Sequence, residues 1–339
     1  MDYFVGIDLH SNNCYVGMID GKDKRILERK FDCDLASILK TLNRHKKNIR
    51  GVVVESTYNW YWLVDGLMEA GYKVHLANPA AMQQYSGLKY SDDKSDAIWL
   101  AHMFRLGILP EGYIYPKEIR PIRDLLRKRL MLVRHRTSHT LSLENQLIRN
   151  TGTKYSVNET RALNHDKIKE ILEEKHLVMA ASSDNVLISI YKEMSLEIEK
   201  AVIKEVKLRF PYEKLLTVPG IGKILAITIM LETGDINRFM AVSNYSSYCR
   251  CVSSQRLSNG KKKGEGNKKN GNKYLSWAYV EAANFMRRYC EEAKKWHQRK
   301  ASKTNQIVAT KALSCKISKA CYFIIKDQSE FDAARLFMS

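Results

Sequence analysis

Short apolar runs broken by polar turns open the chain. Tyr3–Asp8, Cys14–Ile19 and Arg25–Phe31 read as three strands, joined by Ser11-Asn12-Asn13 and Asp20-Gly21-Lys22-Asp23. A helix is expected over Leu35–Arg44, then a strand over Gly51–Glu55. A second helix follows from Trp60 to Ala70, stopped by Gly71, and Lys73–Leu76 reads as a strand closed by Asn78-Pro79. A last helix begins near Asp93, runs to Arg105 and is ended by Gly107 and Pro110. The period then changes. Ile122, Leu125, Leu126, Leu130, Val133, Thr137 and Leu141 recur at three- or four-residue spacing, and Leu187, Ile190, Met194, Ile198 and Val202 repeat the pattern. Ser182-Ser183-Asp184 is the expected cap of that second run. Narrow apolar seams of this kind predict an antiparallel helical hairpin or a coiled coil.

Three hairpin strands followed by alternating helix and strand is the order of a ribonuclease-H-like α/β fold. The expected organisation is therefore an α/β domain over residues 1–115, a helical connector over 116–210 and a second, mostly helical domain over 211–330. A Gly/Lys/Asn-rich stretch from Ser258 to Lys273 interrupts the last, which closes in two helices near Tyr274–Tyr289 and Gln306–Ile325.

Charge narrows the function. The 339 residues carry a net charge of +19, while 45% are apolar, enough for a sizeable core. A protein this basic is expected to bind a polyanion, because each neutralised phosphate releases condensed counterions. Seven cysteines, an odd number without any Cys-x-x-Cys, support neither a disulfide framework nor a zinc site, and fit reduced thiols in the cytoplasm. The first residues lack a basic leader with an apolar core, and no stretch approaches membrane-span length.

Against this basic background, four acids recur at element ends. Asp8 and Glu55 each close a predicted strand, Tyr3–Asp8 and Gly51–Glu55, at its carboxyl end. Asp93 and Asp96 open a helix, and a spacing of three puts both on one face. Asp92 is an alternative to Asp93, being four residues from Asp96. Four clustered carboxylates repel one another at neutral pH, and divalent cations would relieve that repulsion. Two such ions can stabilise the attacking and leaving oxygens of a phosphoryl transfer.

Other segments suit nucleic acid. Val218-Pro219-Gly220-Ile221-Gly222-Lys223 is a helix-hairpin-helix type of turn that would bring backbone N–H groups to a phosphate. Arg256, Lys261, Lys262, Lys263, Lys268, Lys269 and Lys273 make the following glycine-rich stretch either a backbone clamp or a solvated loop. Ser253, Ser254 and Ser258 lie on its upstream edge, where an activated hydroxyl would be a nucleophile. The arginines from Arg120 to Arg136 read either as a solvated helix face or as one turned to phosphate. Trp60-Tyr61-Trp62 suits core packing better than base stacking. A Gly6-Ile7-Asp8 opening also begins actin-like ATPase folds, but those need further glycine-rich phosphate loops that residues 50–115 lack.

Taken in order, Gly6-Ile7-Asp8-Leu9-His10, Val54-Glu55-Ser56, Asp93-x-x-Asp96-Ala97, Val218-Pro219-Gly220-Ile221-Gly222 and Ser258-Asn259-Gly260 through Gly271-Asn272-x-x-Leu275 resemble the DEDD-type transposases of insertion sequences over nearly the whole chain. The resemblance implies a RuvC-like N-terminal domain, a coiled-coil connector and a C-terminal transposase domain. It implies that Asp8, Glu55, Asp93 and Asp96 hold Mg²⁺ as two ions, and that a C-terminal serine links covalently to DNA. Ser258 fits that role against the following glycine and lysines, with Ser253 and Ser254 as alternatives. It further implies double-stranded DNA at element ends and target, a noncoding RNA from the same element as guide, and a homo-oligomer, a dimer assembling to a tetramer. The alternative is a RuvC-like nuclease that forms no covalent link.

Overall fold

The computed structural model describes residues 1–82, 93–206, 210–254, 256–264 and 270–337. Strands β1 (Tyr3–Leu9), β2 (Asn13–Asp20) and β3 (Arg25–Asp32) form an antiparallel meander. Helix α1 (Leu35–Asn43) is capped by Asp34, whose carboxylate accepts from Ala36 N and Ser37 N. Then follow β4 (Ile49–Glu55), α2 (Tyr61–Glu69), β5 (Val74–Ala77), α3 (Asp93–Arg105) and the short edge strand β6 (Glu111–Gly112). The sheet order is β3-β2-β1-β4-β5-β6, with β4 parallel to both β1 and β5. The sheet is mixed, with the three-strand meander followed by parallel strands that alternate with helices, as the order of elements in the sequence predicts.

Alternation divides the sheet between two layers. Val5, Ile7, Val16, Val52 and Val54 pack with Ile38, Leu42, Leu63 and Leu67 of α1 and α2. Trp60 joins that core at 8% exposure, and Tyr61 and Trp62 pack against it, so the aromatic triplet is structural. The opposite face carries α3, and there β1 and β2 present a directly paired Gly6 and Gly17. A Cβ on Gly6 would lie 2.1 Å from the Ala97 carbonyl oxygen and 2.7 Å from Ala101 N. A Cβ on Gly17 would lie 2.9 Å from Ile98 N. The glycine pair is what lets a helix backbone rest on the sheet backbone.

Beyond this region, α4 (Arg120–Thr151) opens a mostly helical part. Short α5 (Val157–Ala162) and α6 (His165–Leu172) lead to α7 (Lys175–Val206). Pairs Arg129–Glu199, His135–Tyr191 and His139–Asp184 run in opposite sequence directions, so α4 and α7 are antiparallel. Asp184 does not cap a helix: α7 starts at Lys175, and Asp184 lies inside it, turned to His139 and Gln146. Helices α8 (Phe210–Leu215), α9 (Lys223–Thr233) and α10 (Val242–Tyr248) follow. A two-stranded hairpin, β7 (Arg256–Ser258) and β8 (Lys261–Gly264), comes next. The end has α11 (Lys273–Tyr289), α12 (Glu291–Lys303), α13 (Gln306–Asp327) and α14 (Ala333–Phe337), rather than the two expected helices. Tyr245, Tyr279, Leu275 and Ile317 are at the centre of this helical core. All seven cysteines are free thiols, and no described helix is long and apolar enough to cross a membrane.

The chain divides into two compact units, Met1–Lys117 with Ser254–Asn270, and Glu118–Ser253 with Gly271–Ser339. The hairpin therefore groups with the sheet, although its flanks belong to the helical unit.

Gly6→Val should destabilise the protein towards the upper end of the about 1–3 kcal/mol of core overpacking, read from urea unfolding. Gly21→Ala is the control: nothing stands within 4 Å of its Cβ position, and stability should hardly change.

Candidate functional site

The register of the sheet brings the first two acids together. Ile7 pairs with Val54 across parallel β1 and β4, and Asp8 and Glu55 follow directly on their two strands. Gly6 and Gly51 both face α3, so by alternation Asp8 and Glu55 face it too. Helix α3 runs antiparallel to β1: Ala97 sits over Gly6, while Phe104, further along, meets Phe4 and His75. Two strand residues beyond Gly6 and four helix residues before Ala97 each advance about 6–7 Å towards the same edge. The first turn of α3, with Asp93 and Asp96, thus faces the carboxyl ends of β1 and β4.

Asp8 is buried at 4% exposure, and Glu55 and Asp96 are half-buried. Asp93 opens α3, but its side chain lies outside the described residues, as does the whole of Asp92. His10, two residues after Asp8, places Nε2 at 3.2 Å from Asp8 Oδ2. Its backbone is fixed by a bond from His10 N to Asn13 O at 2.9 Å and by Asn59 Nδ2 donating to His10 O at 2.9 Å. The sequence left His10 as a phosphate contact or a turn position; its close approach to Asp8 depends on the β1–β2 turn folding back. Carboxylate oxygens at one edge suit a hard divalent cation by donor type. Among the described residues, however, no three potential ligands stand close enough to hold a metal ion.

The basic segment contains a hairpin, β7–β8, where its composition offered a clamp or a solvated loop. Ser258 pairs with Lys261, and the turn between them is Asn259-Gly260 with φ of 49° and 71°. Two successive positive φ values are those of the type I′ hairpin turn, for which Asn-Gly is the preferred pair. Ser258, Lys261 and Lys263 are exposed. The side chains of Arg256 and Lys262 lie outside the described residues, as do Lys268 and Lys269 entirely. At the segment's end, Asn78 Nδ2 reaches Asn270 Oδ1 at 3.4 Å. Asn78 directly follows β5, so Asn270 lies at the carboxyl edge of the sheet, the edge that carries Asp8 and Glu55.

The turn before α9 uses its glycines differently. Gly220, at φ +88°, faces α11, where a Cβ would lie 2.5 Å from Met286 N, so it serves packing. Gly222 caps α9 without a side-chain bond, and Gly222 and Lys223 are exposed. Lys273 is exposed at the start of α11.

The arginines of α4 fit neither reading of the helix as a uniform face. Arg120 and Arg123 are buried. Arg123 Nε and Arg127 Nη2 donate to Glu232 Oε2 at 3.0 and 2.8 Å, and Arg129 binds Glu199. Glu232 is 2% exposed. Burial alone would raise its pKa, but hydrogen bonds from Arg127 and Asn272 and the charges of Arg123 and Arg127 outweigh it and hold the carboxyl below its ordinary range.

Two family models match the chain. A family model of the DEDD type, described as Transposase, matches residues 5–150. A second, described as Transposase IS116/IS110/IS902 family, matches residues 212–298. No curated protein matches the chain.

The depressed pKa of Glu232 gives a pH test. Its stabilisation is fully present above the ordinary value of 4.5 and is lost as pH falls through the lower folded value. Glu232→Gln, followed by urea unfolding from neutral to acid pH, should be less stable than wild type at pH 7, and the gap should narrow below pH 4.5.

Proposed function

This chain belongs to the IS116/IS110/IS902 family of transposases, and from that premise we propose that it cuts and rejoins DNA through a serine–DNA link. The observation that carries the reading is the placement of Asp8, Glu55 and the start of α3 at one sheet edge, in the compact unit that also holds the exposed Ser258. Asp8, Glu55, Asp93 and Asp96 would hold Mg²⁺, as two ions. Bound Mg²⁺ would screen the carboxylates from one another and polarise the phosphodiester. The protein's own part is positional. The sheet register fixes the backbone positions of the buried Asp8 and the half-buried Glu55 before DNA arrives.

Ser258 is the proposed nucleophile, with Ser253 and Ser254 kept as alternatives. Its hydroxyl oxygen attacks phosphorus, the bond to one strand's sugar oxygen breaks, and that oxygen leaves as a hydroxyl. One phosphodiester is exchanged for another, so the link can be resealed without ATP. Lys261 and Lys263 on the same hairpin are exposed and would meet the phosphate backbone; Arg256, Lys262, Lys268, Lys269 and Lys273 are the further contacts expected from the sequence. The turn before α9, read as a helix-hairpin-helix element, would add Lys223 and the exposed backbone at Gly222.

The larger assembly is read from the family. Residues 1–115 form the RuvC-like catalytic domain, 116–210 a coiled-coil connector and 211–330 the transposase domain. A noncoding RNA from the same element selects the sites, and homo-oligomers act on element ends and target in the cytoplasm. The long antiparallel helices α4 and α7 support the coiled-coil reading.

A trap for the covalent product tests the mechanism. The protein is expressed with its flanking DNA, supplied with Mg²⁺ and matching ends, and the adduct is mapped by peptide mass spectrometry. The expected adduct is on Ser258. It should vanish in Ser258→Ala, and Asp8→Asn should lose strand cleavage while DNA binding persists. Cleaved DNA without any adduct would instead establish a hydrolytic nuclease. Replacing Lys261, Lys262 and Lys263 by Gln should also lower the slope of log affinity against log salt by about 2–3.

A further inference from the structure

The segment that carries all three candidate serines is closed at its base by a network the mechanism above does not use. The chain enters at Tyr248–Arg250 and returns at Gly271–Asn272. Asn272 N donates to Tyr248 O at 2.6 Å, and Arg250 Nε donates to Gly271 O at 3.1 Å. Gly271, at φ +89°, is required here: a Cβ would lie 2.5 Å from Tyr248 O. The Asn272 side chain then works in two directions. Its Oδ1 accepts from Tyr274 N at 2.8 Å and Leu275 N at 3.1 Å, starting α11. Its Nδ2 donates to Glu232 Oε2 at 2.7 Å. Glu232 is in turn held by Arg123 and Arg127 of α4.

A buried carboxylate with two guanidinium partners is a costly way to fill a core, since apolar side chains of similar volume often stabilise at least as well. What it supplies is fixed direction, because each oxygen must meet its donors. We propose that Asn272 and Glu232 are positioning residues for strand transfer: with Gly271 they fix the base of the serine-bearing segment and so set where its hydroxyl is presented. The inference rests on the reading that a serine of this segment attacks DNA. It does not depend on which of Ser253, Ser254 and Ser258 does so, because all three lie between the two ends of the base.

Asn272→Asp separates the two jobs of the side chain. The carboxylate still caps α11, but in place of an N–H it sets a like charge against Glu232. The adduct trap is run on wild type and variant over a range of DNA concentrations, with thermal melting alongside. The expected result is a rate of adduct formation at saturating DNA lower by about 10–100-fold, the scale of a misplacement near 1 Å. The half-saturating DNA concentration should be unchanged. Arg250→Ala, which cuts the base on its other side and leaves the Glu232 cluster intact, should lower the same rate and serves if Asn272→Asp fails to fold. A variant that melts like wild type and forms adduct at the wild-type rate would overturn the proposal. So would a loss of rate, DNA affinity and melting temperature in step, which marks a merely structural role. Absence of adduct from the wild type would remove the serine reading itself, and the proposal with it.

Discussion

The acidic edge depends on how closely α3 approaches the sheet. With Gly6 and Gly17 paired across β1 and β2, the helix backbone at Ala97, Ile98 and Ala101 comes within van der Waals reach of the strand backbone. Stacked sheets stand about 10 Å apart, separated by a layer of side chains. Here the side-chain layer is missing at one point, and α3 is held in place along its length by what surrounds that point. Its far end is fixed as well, by Phe104 against Phe4 and by His102 and Arg105 on Asp23. Fixing both the height and the direction of α3 fixes where its first turn lies. Asp96 then faces the strand ends that carry Asp8 and Glu55.

The helical unit handles charge in the opposite way. Where the sheet gathers carboxylates at one edge, the helical unit surrounds one carboxylate with cations. Arg123 and Arg127 are engaged by Glu232, and Arg129 by Glu199. A net charge of +19 therefore overstates what these arginines offer to a polyanion. The exposed lysines of the β7–β8 hairpin, Lys261 and Lys263, are of a different kind: they stand on a short ribbon with a tight turn and face solvent. Electrostatic attraction for a phosphate backbone is carried by charges that remain exposed, since buried pairs are already neutralised.

Much of the sheet was legible because strand periodicity is local. Alternating apolar positions set β1, β2 and β4 to within a residue or two, and α3 was legible from Asp93 to Arg105. The placement of Asp8 and Glu55 at strand ends was likewise visible, but their pairing needed the register between β1 and β4. The misses share one cause. Arg123, Arg127 and Asp184 carry charges whose partners are far along the chain, so surface and cap were the readings a local pattern could offer. The hairpin at Asn259-Gly260 is different, since its turn signal was present; the surrounding glycines and lysines masked it as loop composition. His10 left no periodic trace, and only the folded turn brings it to Asp8.

The grouping of Ser254–Asn270 with the sheet places a demand on the chain. A segment that begins and ends in the helical unit has both of its ends anchored there. With free ends, a segment of this length would sample many arrangements, and closing it costs entropy that grows slowly with length. Bonds between Tyr248 and Asn272 and between Arg250 and Gly271 close the base before the segment meets any substrate. The type I′ turn at Asn259-Gly260 orders its tip in the same sense. Tip and base are each held by their own backbone geometry, and a group carried on a backbone fixed in advance needs less ordering before it reacts.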